Sequence, residues 1–194
     1  MSKKKIGCVI MASGQSKRFG SNKLLTEFQG RSLIENALDL TGGNLFAKRV
    51  VVTRTEEVRD LCRKQNVDVI FHDLPDRNDT VRLGVEAVKE MDGCVFCPCD
   101  QPLLQKKSLQ RLIAQFEKRE KGIERLCYGE KQGTPILFGK EFFEELMRLP
   151  VKSGGSYLVK KYPELVEMVS AEDELELFDI DTREDYGRLL HKYR

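Results

Sequence analysis

Short apolar runs alternate along this chain with segments in which apolar residues recur every three or four positions. Apolar runs bounded by polar turns predict buried strands, and the wider spacing predicts amphipathic helices. Strands are predicted at residues 6–11, 50–52, 67–71, 93–98, 123–128 and 135–138, and helices around residues 58–62, 81–88, 109–116, 142–147 and 186–193. The alternation predicts an α/β fold, in which helices cover both faces of a mostly parallel sheet and ligands bind beyond the carboxyl ends of the strands.

The composition suits one compact domain over residues 1–194, a size that can bury a substantial core. The formal net charge is only +2, so no strong overall field would recruit nucleic acid, and anion binding has to come from local arrangement. No apolar run approaches the length of a membrane span, and the opening Met-Ser-Lys-Lys-Lys lacks the apolar region of a secretory signal. We therefore expect a cytoplasmic protein that binds neither nucleic acid nor membrane.

The chain has six cysteines, which raises the question of disulfides or of a metal site. A chain without a secretory signal is not expected to form disulfides. Cys94, Cys97 and Cys99 lie close together, but a zinc site needs a second pair of ligands, and His72 and His191 are the only histidines. We interpret these three cysteines as core residues, because they fall across a predicted buried strand and cysteine is among the residue types most often buried.

The first predicted strand leads into a loop that mixes small and cationic residues. The loop carries Ser13, Gly14, Ser16, Gly20, Ser21 and Asn22, with Lys17, Arg18 and Lys23 interleaved. Glycine lets the backbone approach a bulky anion, arginine offers a planar fork for phosphate oxygens, and lysine offers a mobile charge. A strand, a glycine-bearing loop and cations in this order favour a polyphosphate site. The alternative is a solvated basic turn, since the spacing matches neither a P-loop nor a dinucleotide fingerprint.

The segment Ala12-Ser-Gly-Gln-Ser-Lys-Arg-Phe-Gly-Ser-Asn-Lys-Leu-Leu25 resembles the signature loop of nucleotidyltransferases that make molybdopterin dinucleotide cofactors, and the resemblance extends with gaps to Tyr186. This family implies a three-layer, Rossmann-like nucleotidyltransferase fold, with a nucleotide-binding half over residues 1–105 and an acceptor-binding half over residues 106–194. Ser13 departs from the pattern, standing where the cytidylyl branch usually has alanine and the guanylyl branch glycine. Lys23-Leu24-Leu25 is closer to the cytidylyl branch.

The loop chemistry and the resemblance together predict a nucleotide site. The residues expected to bind the nucleotide are Ala12, Ser13, Gly14, Ser16, Arg18, Gly20, Lys23, Asn78 and Thr80. Asn78 and Thr80 belong to a segment that resembles the one opening a helix near the nucleoside in the family, with Thr80 in place of serine. Both residues fit equally well as helix caps, and the sequence leaves the two interpretations even.

A carboxylate follows the strand predicted at residues 93–98, in the segment Pro98-Cys-Asp-Gln-Pro102. If this strand neighbours the first one in a parallel sheet, Asp100 emerges at the same edge as the phosphate loop. A carboxylate beside a triphosphate suits Mg²⁺, which prefers oxygen ligands and shares them with phosphates. The alternative is an aspartate that caps a turn before Pro102. The segment Asp100-Gln-Pro-Leu103 also resembles a family segment whose aspartate is a metal ligand.

A second acidic segment, Phe178 to Tyr186, lies near the end of the chain. It resembles the closing motif of the family, with Arg183 where proline is usual, and the resemblance implies Asp181 as the second Mg²⁺ ligand, with Asp179 close behind. In an extended segment Asp179 and Asp181 point the same way. The alternative is that these carboxylates complement the start of a terminal helix, for which Thr182 or Asp181 is the expected N-cap.

Weaker matches indicate where an acceptor would bind. Gly133 and Pro135 resemble the Gly-x-Pro before a strand in the acceptor half of the family, and Gly154 and Gly155 lie where relatives carry a glycine-rich segment ending in arginine. Tyr157 replaces this arginine, which leaves the contact to the acceptor phosphate open. The lysines that could substitute for it are Lys152, Lys160 and Lys161.

These residues predict a Mg²⁺-dependent nucleotidyltransferase with Arg18, Lys23 and Asp100 as catalytic residues and with Asp100 and Asp181 on the metal. The resemblance implies transfer of CMP from CTP to molybdopterin: the terminal phosphate of the acceptor attacks the α-phosphorus, and pyrophosphate leaves. The alternatives are a guanylyltransferase that uses GTP, a cytidylyltransferase acting on a sugar or polyol phosphate, and a non-catalytic carrier of the pterin cofactor. As partners we expect CTP, molybdopterin and a transient contact with a molybdenum hydroxylase or its maturation factor.

Overall fold

The computed structural model describes residues 3–119 and 121–193, which form nine β-strands and seven α-helices. The strands are β1 (Ile6–Ala12), β2 (Glu27–Phe28), β3 (Arg31–Ser32), β4 (Lys48–Thr53), β5 (Asp68–Phe71), β6 (Gly93–Pro98), β7 (Ile123–Tyr128), β8 (Lys131–Gly139) and β9 (Val166–Ser170). The helices are α1 (Leu33–Leu40), α2 (Glu56–Lys64), α3 (Arg77–Ala87), α4 (Lys106–Glu117), α5 (Phe143–Met147), α6 (Ser156–Lys161) and α7 (Arg183–Lys192). None of the helices within these ranges has the length and apolar character that a membrane crossing requires.

Seven of the strands form one sheet, in the order β5-β4-β1-β6-β8-β7-β9. All neighbouring strands run parallel except β8, which runs against both β6 and β7. The sheet is therefore mostly parallel, as predicted, with one reversed strand. β1 and β6 are direct neighbours, with Ile6 opposite Gly93 and Met11 opposite Pro98. Their carboxyl ends consequently lie side by side, which is the arrangement that brings the loop after β1 and the segment after β6 together.

Alternate residues of β1 face opposite sides of the sheet. Cys8 and Ile10 pack with α1, α2 and α4 on one side, and Val9 packs with α3, α5 and α6 on the other. A strand covered on both faces needs apolar residues at every position, which explains the continuous apolar run at residues 6–11. The fold is a three-layer α/β sandwich, and this confirms the predicted class.

A third apolar cluster joins the two ends of the chain. Phe19 and Phe28 from the N-terminal segment pack with Leu33, Ile180 and Leu189. Because Ile180 is fully buried in this cluster, the acidic residues on either side of it are brought back to the carboxyl edge of β1. The tail of the chain thereby becomes part of the same sheet edge as the N-terminal loop.

The elements with strong periodicity lie where the sequence predicts them, and the weakly patterned ones were missed. The hairpin of β2 and β3, helices α1 and α6, and strand β9 were not predicted. α1 begins with a capping box in which Ser32 and Glu35 bond reciprocally, a local signal that a search for apolar runs does not use. All six cysteines are free and buried, and this confirms the interpretation of Cys94, Cys97 and Cys99 as core residues. Thr182 is the N-cap of α7, one of the two caps expected.

Candidate functional site

The loop after β1 makes a tight turn that leaves part of its backbone open to solvent. The carbonyl of Ser16 accepts hydrogen bonds from the N–H groups of Phe19 and Gly20, at 2.9 and 3.2 Å. Gly20 has a φ of +79°, a left-handed conformation that glycine adopts without strain. Phe19 is buried against Ile180, so the turn is anchored while Gly14 stays exposed.

Lys23 is the point at which three distant segments meet. Its Nζ donates to Asp100 Oδ2 at 2.7 Å, to the carbonyl of Ile180 at 2.8 Å and to Asp181 Oδ1 at 3.1 Å. The side chain is only 9% exposed, and all three of its ammonium donors are used inside the protein. The expected convergence of Asp100, Asp181 and the N-terminal loop is therefore present in the structure.

Burial and pairing act in opposite directions on this ammonium group. Burial alone would lower the pKa of Lys23, but the charges and hydrogen bonds of Asp100 and Asp181 outweigh it and raise the pKa. Lys23 is consequently charged at neutral pH. It is a cation fixed between two carboxylates, which differs from the mobile lysine that the loop chemistry suggested.

Arg18 reaches the same acidic group from the solvent side. Its Nη2 donates to Asp181 Oδ2 at 2.8 Å, and its side chain is 71% exposed. The backbone next to Asp181 is held in place, because the N–H of Ile180 donates to the carbonyl of Asp100 at 2.9 Å. Arg18 is thus oriented at one end while most of its guanidinium faces solvent, from which an anionic ligand would approach.

Asp179 lies beside these groups but has a different partner. Its Oδ1 accepts a hydrogen bond from Gln101 Nε2 at 2.9 Å, and the same amide nitrogen lies 2.9 Å from Thr134 Oγ1. Burial, followed by the negative charge of Asp100, raises the pKa of Asp179. Asp100, Asp179 and Asp181 therefore form one acidic wall, in which Asp179 is the member bound to a neutral amide.

Two cavities open at this edge of the sheet and share a wall. The first has a volume of about 410 Å³ and follows the N-terminal loop, and the second, of about 300 Å³, lies over β6 and β8. The residues that line both are Met11, Arg18, Arg77, Pro98, Asp100 and Asp181. Two ligands can therefore meet end to end beside the charged side chains of this shared wall.

Most residues predicted to bind nucleotide lie around the first cavity. Ser13, Gly14, Ser16, Arg18, Lys23 and Thr80 line it. Ala12 and Gly20 do not: Ala12 is buried, with its carbonyl accepting from the Thr53 hydroxyl at 3.1 Å, and Gly20 forms the turn. Asn78 also points elsewhere, because its Oδ1 accepts the backbone N–H of Lys152 at 3.0 Å.

The alternative interpretation of Asn78 and Thr80 as helix caps is wrong. The N-cap of α3 is Asp76, whose backbone N–H donates to Asp79 Oδ2 at 3.3 Å. Asn78 and Thr80 both lie inside the first turn of the helix. Thr80 is buried against the wall of the first cavity, so of the two it is the one in position to contact a ligand.

Of the residues predicted to bind the acceptor, some line the second cavity and others only fill space in the packing. Gly155 lines the second cavity, and so does Thr134, which stands between the predicted Gly133 and Pro135. A Cβ at Gly133 would lie 2.6 Å from a neighbouring leucine side chain, so this glycine serves packing. Gly154 does not line the cavity either. Within the described residues, neither cavity is lined by Tyr157, Lys152, Lys160 or Lys161.

Ser13 is held from behind by His72, a contact that the sequence did not indicate. The Ser13 hydroxyl donates to the carbonyl of Val52 at 2.9 Å and lies 3.0 Å from His72 Nε2. Because the one hydroxyl proton is already donated, Nε2 of His72 carries a proton and donates to Ser13. Burial, with the charge of Arg54, lowers the pKa of His72, so the imidazole is neutral near pH 7. The hydroxyl of Ser13 is therefore used inside the protein.

Three further polar residues of the site were not predicted. Arg54 and Arg77 line the first cavity, and Gln101 links Asp179 to Thr134. Arg54 and Gln101 both follow strands whose carboxyl ends reach this edge, so the rule for parallel sheets could have found them. Arg77 opens a helix, and no pattern in the sequence distinguishes it.

Comparisons with known proteins agree with this geometry. A family model described as the MobA-like NTP transferase domain matches residues 8–166. The chain is 26% identical over 193 residues to a Bacillus velezensis protein named "Probable molybdenum cofactor guanylyltransferase", which spans 94% of this chain and 93% of that protein. This chain is also similar to the crystal structure of Rv0371c from Mycobacterium tuberculosis, with 26% identity and a TM-score of 0.85. The match covers 96% of this chain and 98% of that one. The molybdopterin-guanine dinucleotide biosynthesis protein A of Archaeoglobus fulgidus has the same fold, at 20% identity and a TM-score of 0.74, with 96% of this chain and 98% of that one covered.

Proposed function

This chain belongs to the family of MobA-like NTP transferase domains, and on that premise we propose that it transfers a nucleoside monophosphate from a nucleoside triphosphate to the terminal phosphate of molybdopterin, with release of pyrophosphate. The carrying observation is the contact of Lys23 Nζ with Asp100 and Asp181, at 2.7 and 3.1 Å. It joins the N-terminal loop to two acidic segments at the wall between two cavities. A reaction that brings two phosphate-bearing ligands together requires such a shared wall.

As the nucleotide donor we propose GTP. Two relatives that span more than nine-tenths of the chain are named molybdenum cofactor guanylyltransferases, which supports this choice. CTP, the donor expected from Lys23-Leu24-Leu25, is the second candidate. That signature carries little information on the base here, because Lys23 bonds to carboxylates and Leu24 is buried in the core.

The residues at the shared wall act by positioning and by charge. The terminal phosphate of the acceptor is already anionic, so the attack on the α-phosphorus needs no general base. In the proposed complex the triphosphate follows the loop from Gly14 to Arg18, whose exposed guanidinium binds its oxygens. Lys23 holds Asp100 and Asp181 in place and adds a fixed positive charge beside the phosphates.

We further propose that Mg²⁺ binds with the donor, held by Asp100 and Asp181. Within the described ranges no group of three or more His, Cys, Asp or Glu side chains can hold a metal unaided. This donor set fits Mg²⁺, which usually takes one or two carboxylates and completes its shell with substrate phosphates and water. When bound, the ion would supply positive charge against the phosphate oxygens.

Pyrophosphate release tests the proposal. The protein is incubated with GTP, CTP, ATP or UTP, each with MgCl₂ and molybdopterin, and we expect the fastest release with GTP and none without the pterin. Pyrophosphate release with CTP but not with GTP would overturn the choice of donor. If none of the four nucleotides gives release, the proposed function is wrong.

A paired variant connects the activity to the site. Asp100→Asn keeps the shape of the side chain and removes its charge, and we expect turnover to fall by about 100–1000-fold. Asp68→Asn, at an exposed position of edge strand β5, is the matched control and should retain full turnover. Equal activity of the two variants would exclude Asp100 from the reaction.

A further inference from the structure

Arg77 stands out at the shared wall because its charge is not used by the protein. Arg18 pairs with Asp181, and Lys23 with Asp100 and Asp181. Arg77 lines both cavities, yet among the described residues no carboxylate lies within ion-pairing distance of its guanidinium. An unpaired planar cation between two ligand cavities is suited to bind a phosphate group.

The surrounding backbone is shaped to the path of this side chain. A Cβ at Gly154 would lie 2.8 Å from Arg77 Nε and 3.2 Å from Arg77 Cδ. The start of α3 and the loop before α6 are also tied together, since Asn78 Oδ1 accepts the N–H of Lys152 at 3.0 Å. Gly154 therefore leaves the room that Arg77 occupies, and the neighbouring contact keeps the two segments at a fixed spacing.

The second cavity otherwise lacks a cation of its own. Besides the residues of the shared wall, its lining comprises Val81, Phe96, Thr134, Ile136, Phe138, Gly155, Ser156 and Asp179. These side chains are apolar, neutral or acidic, and the acidic Asp179 would repel a phosphate. Arg18, the other basic residue of the cavity, is already bonded to Asp181.

We infer that Arg77 binds the terminal phosphate of the acceptor, and thereby replaces the arginine for which this chain has Tyr157. The inference rests on the proposed function for the identity of the acceptor. Arg77 reaches the shared wall from the first turn of α3, whereas the donor phosphates are proposed to follow the loop from Gly14 to Arg18. The fork of Arg77 holds the attacking oxygen at the wall where the two cavities meet, so that the donor and acceptor phosphates lie adjacent.

Steady-state kinetics with paired variants test this assignment. For Arg77→Gln we expect the KM for molybdopterin to rise at least tenfold, while the KM for GTP changes by less than twofold. Arg77→Lys keeps the charge without the fork and should recover part of the loss. Gly154→Ala should have an intermediate effect, because the new methyl displaces the side chain of Arg77. Arg82→Gln is the matched control, since Arg82 lies on the same helix, pairs with Asp79 at 3.6 Å and lines neither cavity.

Equilibrium binding of molybdopterin, followed by the fluorescence of the pterin, separates this inference from the proposed reaction. If wild-type protein binds molybdopterin but releases no pyrophosphate, the proposed reaction fails while the Arg77 assignment is still measured by the affinity of Arg77→Gln. Weaker binding by Arg77→Gln than by Arg82→Gln supports the assignment. Equal binding by the two variants, a GTP KM that rises as much as the acceptor KM, or no binding by wild-type protein would each overturn it.

Discussion

Two cation–carboxylate contacts, each with one buried member, lie at opposite edges of the sheet, and they differ in how the hydrogen bonds of the buried member are satisfied. At the carboxyl edge, Lys23 Nζ donates to three oxygen atoms within 3.1 Å. At the amino edge, Glu124 near the start of β7 is fully buried, and neither of its carboxylate oxygens has a hydrogen-bond partner among the described residues. Its nearest cation, Arg119 Nη1, lies 3.5 Å away.

The two pairs consequently differ in charge near neutral pH. Burial raises the pKa of Glu124 to about 7, and the positive charge of Arg119 offsets this only in part. Lys23 keeps its proton, because hydrogen bonds to Asp100 and Asp181 compensate for its burial. A buried ion that is fully hydrogen-bonded supplies a fixed field, whereas one without partners loses its charge instead. The comparison indicates that this fold maintains buried charge at the edge where the two cavities open.

Removing the ammonium group of Lys23 breaks its hydrogen bonds to Asp100 and Asp181 and should have the largest effect of these substitutions. Lys23→Met leaves Asp100 and Asp181 without a shared partner, and we expect kcat/KM to fall by about 100–1000-fold. The free energy of unfolding should fall by about 1–2 kcal/mol, less than for a sealed site, because water reaches both aspartates. Steady-state kinetics and urea denaturation measure the two effects.

Lys89→Met is the control for this substitution. Lys89 is exposed, lies just after the end of α3 and pairs with Glu86, so its loss should change neither quantity appreciably. If Lys23→Met and Lys89→Met have the same kcat/KM, the Lys23 contact has no role in the reaction.

Replacing Glu124 tests the buried carboxylate that has no hydrogen-bond partner among the described residues. The folded chain holds the Glu124 proton up to about pH 7, compared with an ordinary value of 4.5, so the unfolded state releases this proton first as the pH rises. Glu124 therefore contributes most to stability below pH 4.5, and that contribution is lost between pH 4.5 and about 7. The loss amounts to about 3 kcal/mol at 1.36 kcal/mol per pKa unit.

Glu124→Gln should remove this pH dependence, because an amide does not titrate. We expect the difference in unfolding free energy between pH 5 and pH 8, measured with urea, to change by about 2–3 kcal/mol relative to wild type. Glu144→Gln, at an exposed position of α5, controls for the removal of one carboxylate and should leave the difference unchanged. Identical pH dependence in Glu124→Gln and wild type would mean that Glu124 is ionised in the fold at low pH.

The sequence predicts the meeting of the N-terminal loop with Asp100, but it does not predict the burial of Glu124. Asp100 and the N-terminal loop each follow an apolar run, and parallel neighbours place such ends together, so their meeting was foreseeable. Arg77 and His72 were not, because a side chain reaching a site from a helix start or from behind a strand leaves no periodic signal. Glu124 interrupts a predicted strand, and only the packing of α4 and β9 around β7 determines that it is buried.

His72 has one ring nitrogen with a hydrogen-bond partner and one without. Its Nε2 donates to Ser13, while its Nδ1 is buried without a partner among the described residues. Ser13→Ala removes the partner of Nε2 and the hydrogen bond that the hydroxyl donates to the carbonyl of Val52. The resemblance of the signature loop implies that this position varies with the nucleotide donor, so the same variant bears on the proposed choice of donor.

Ser13→Ala should have the smallest effect of the series, and on stability rather than on the choice of donor. We expect the free energy of unfolding to fall by about 1–2 kcal/mol, the usual range for a lost hydrogen bond that leaves a polar group buried. The ratio of kcat/KM for GTP and CTP should stay as in wild type, because the hydroxyl bonds to Val52 and His72. Ser13→Thr retains the hydroxyl and should recover most of the stability. A changed donor ratio at unchanged stability would show instead that Ser13 contacts the base, and that the residue at this position selects the nucleotide directly.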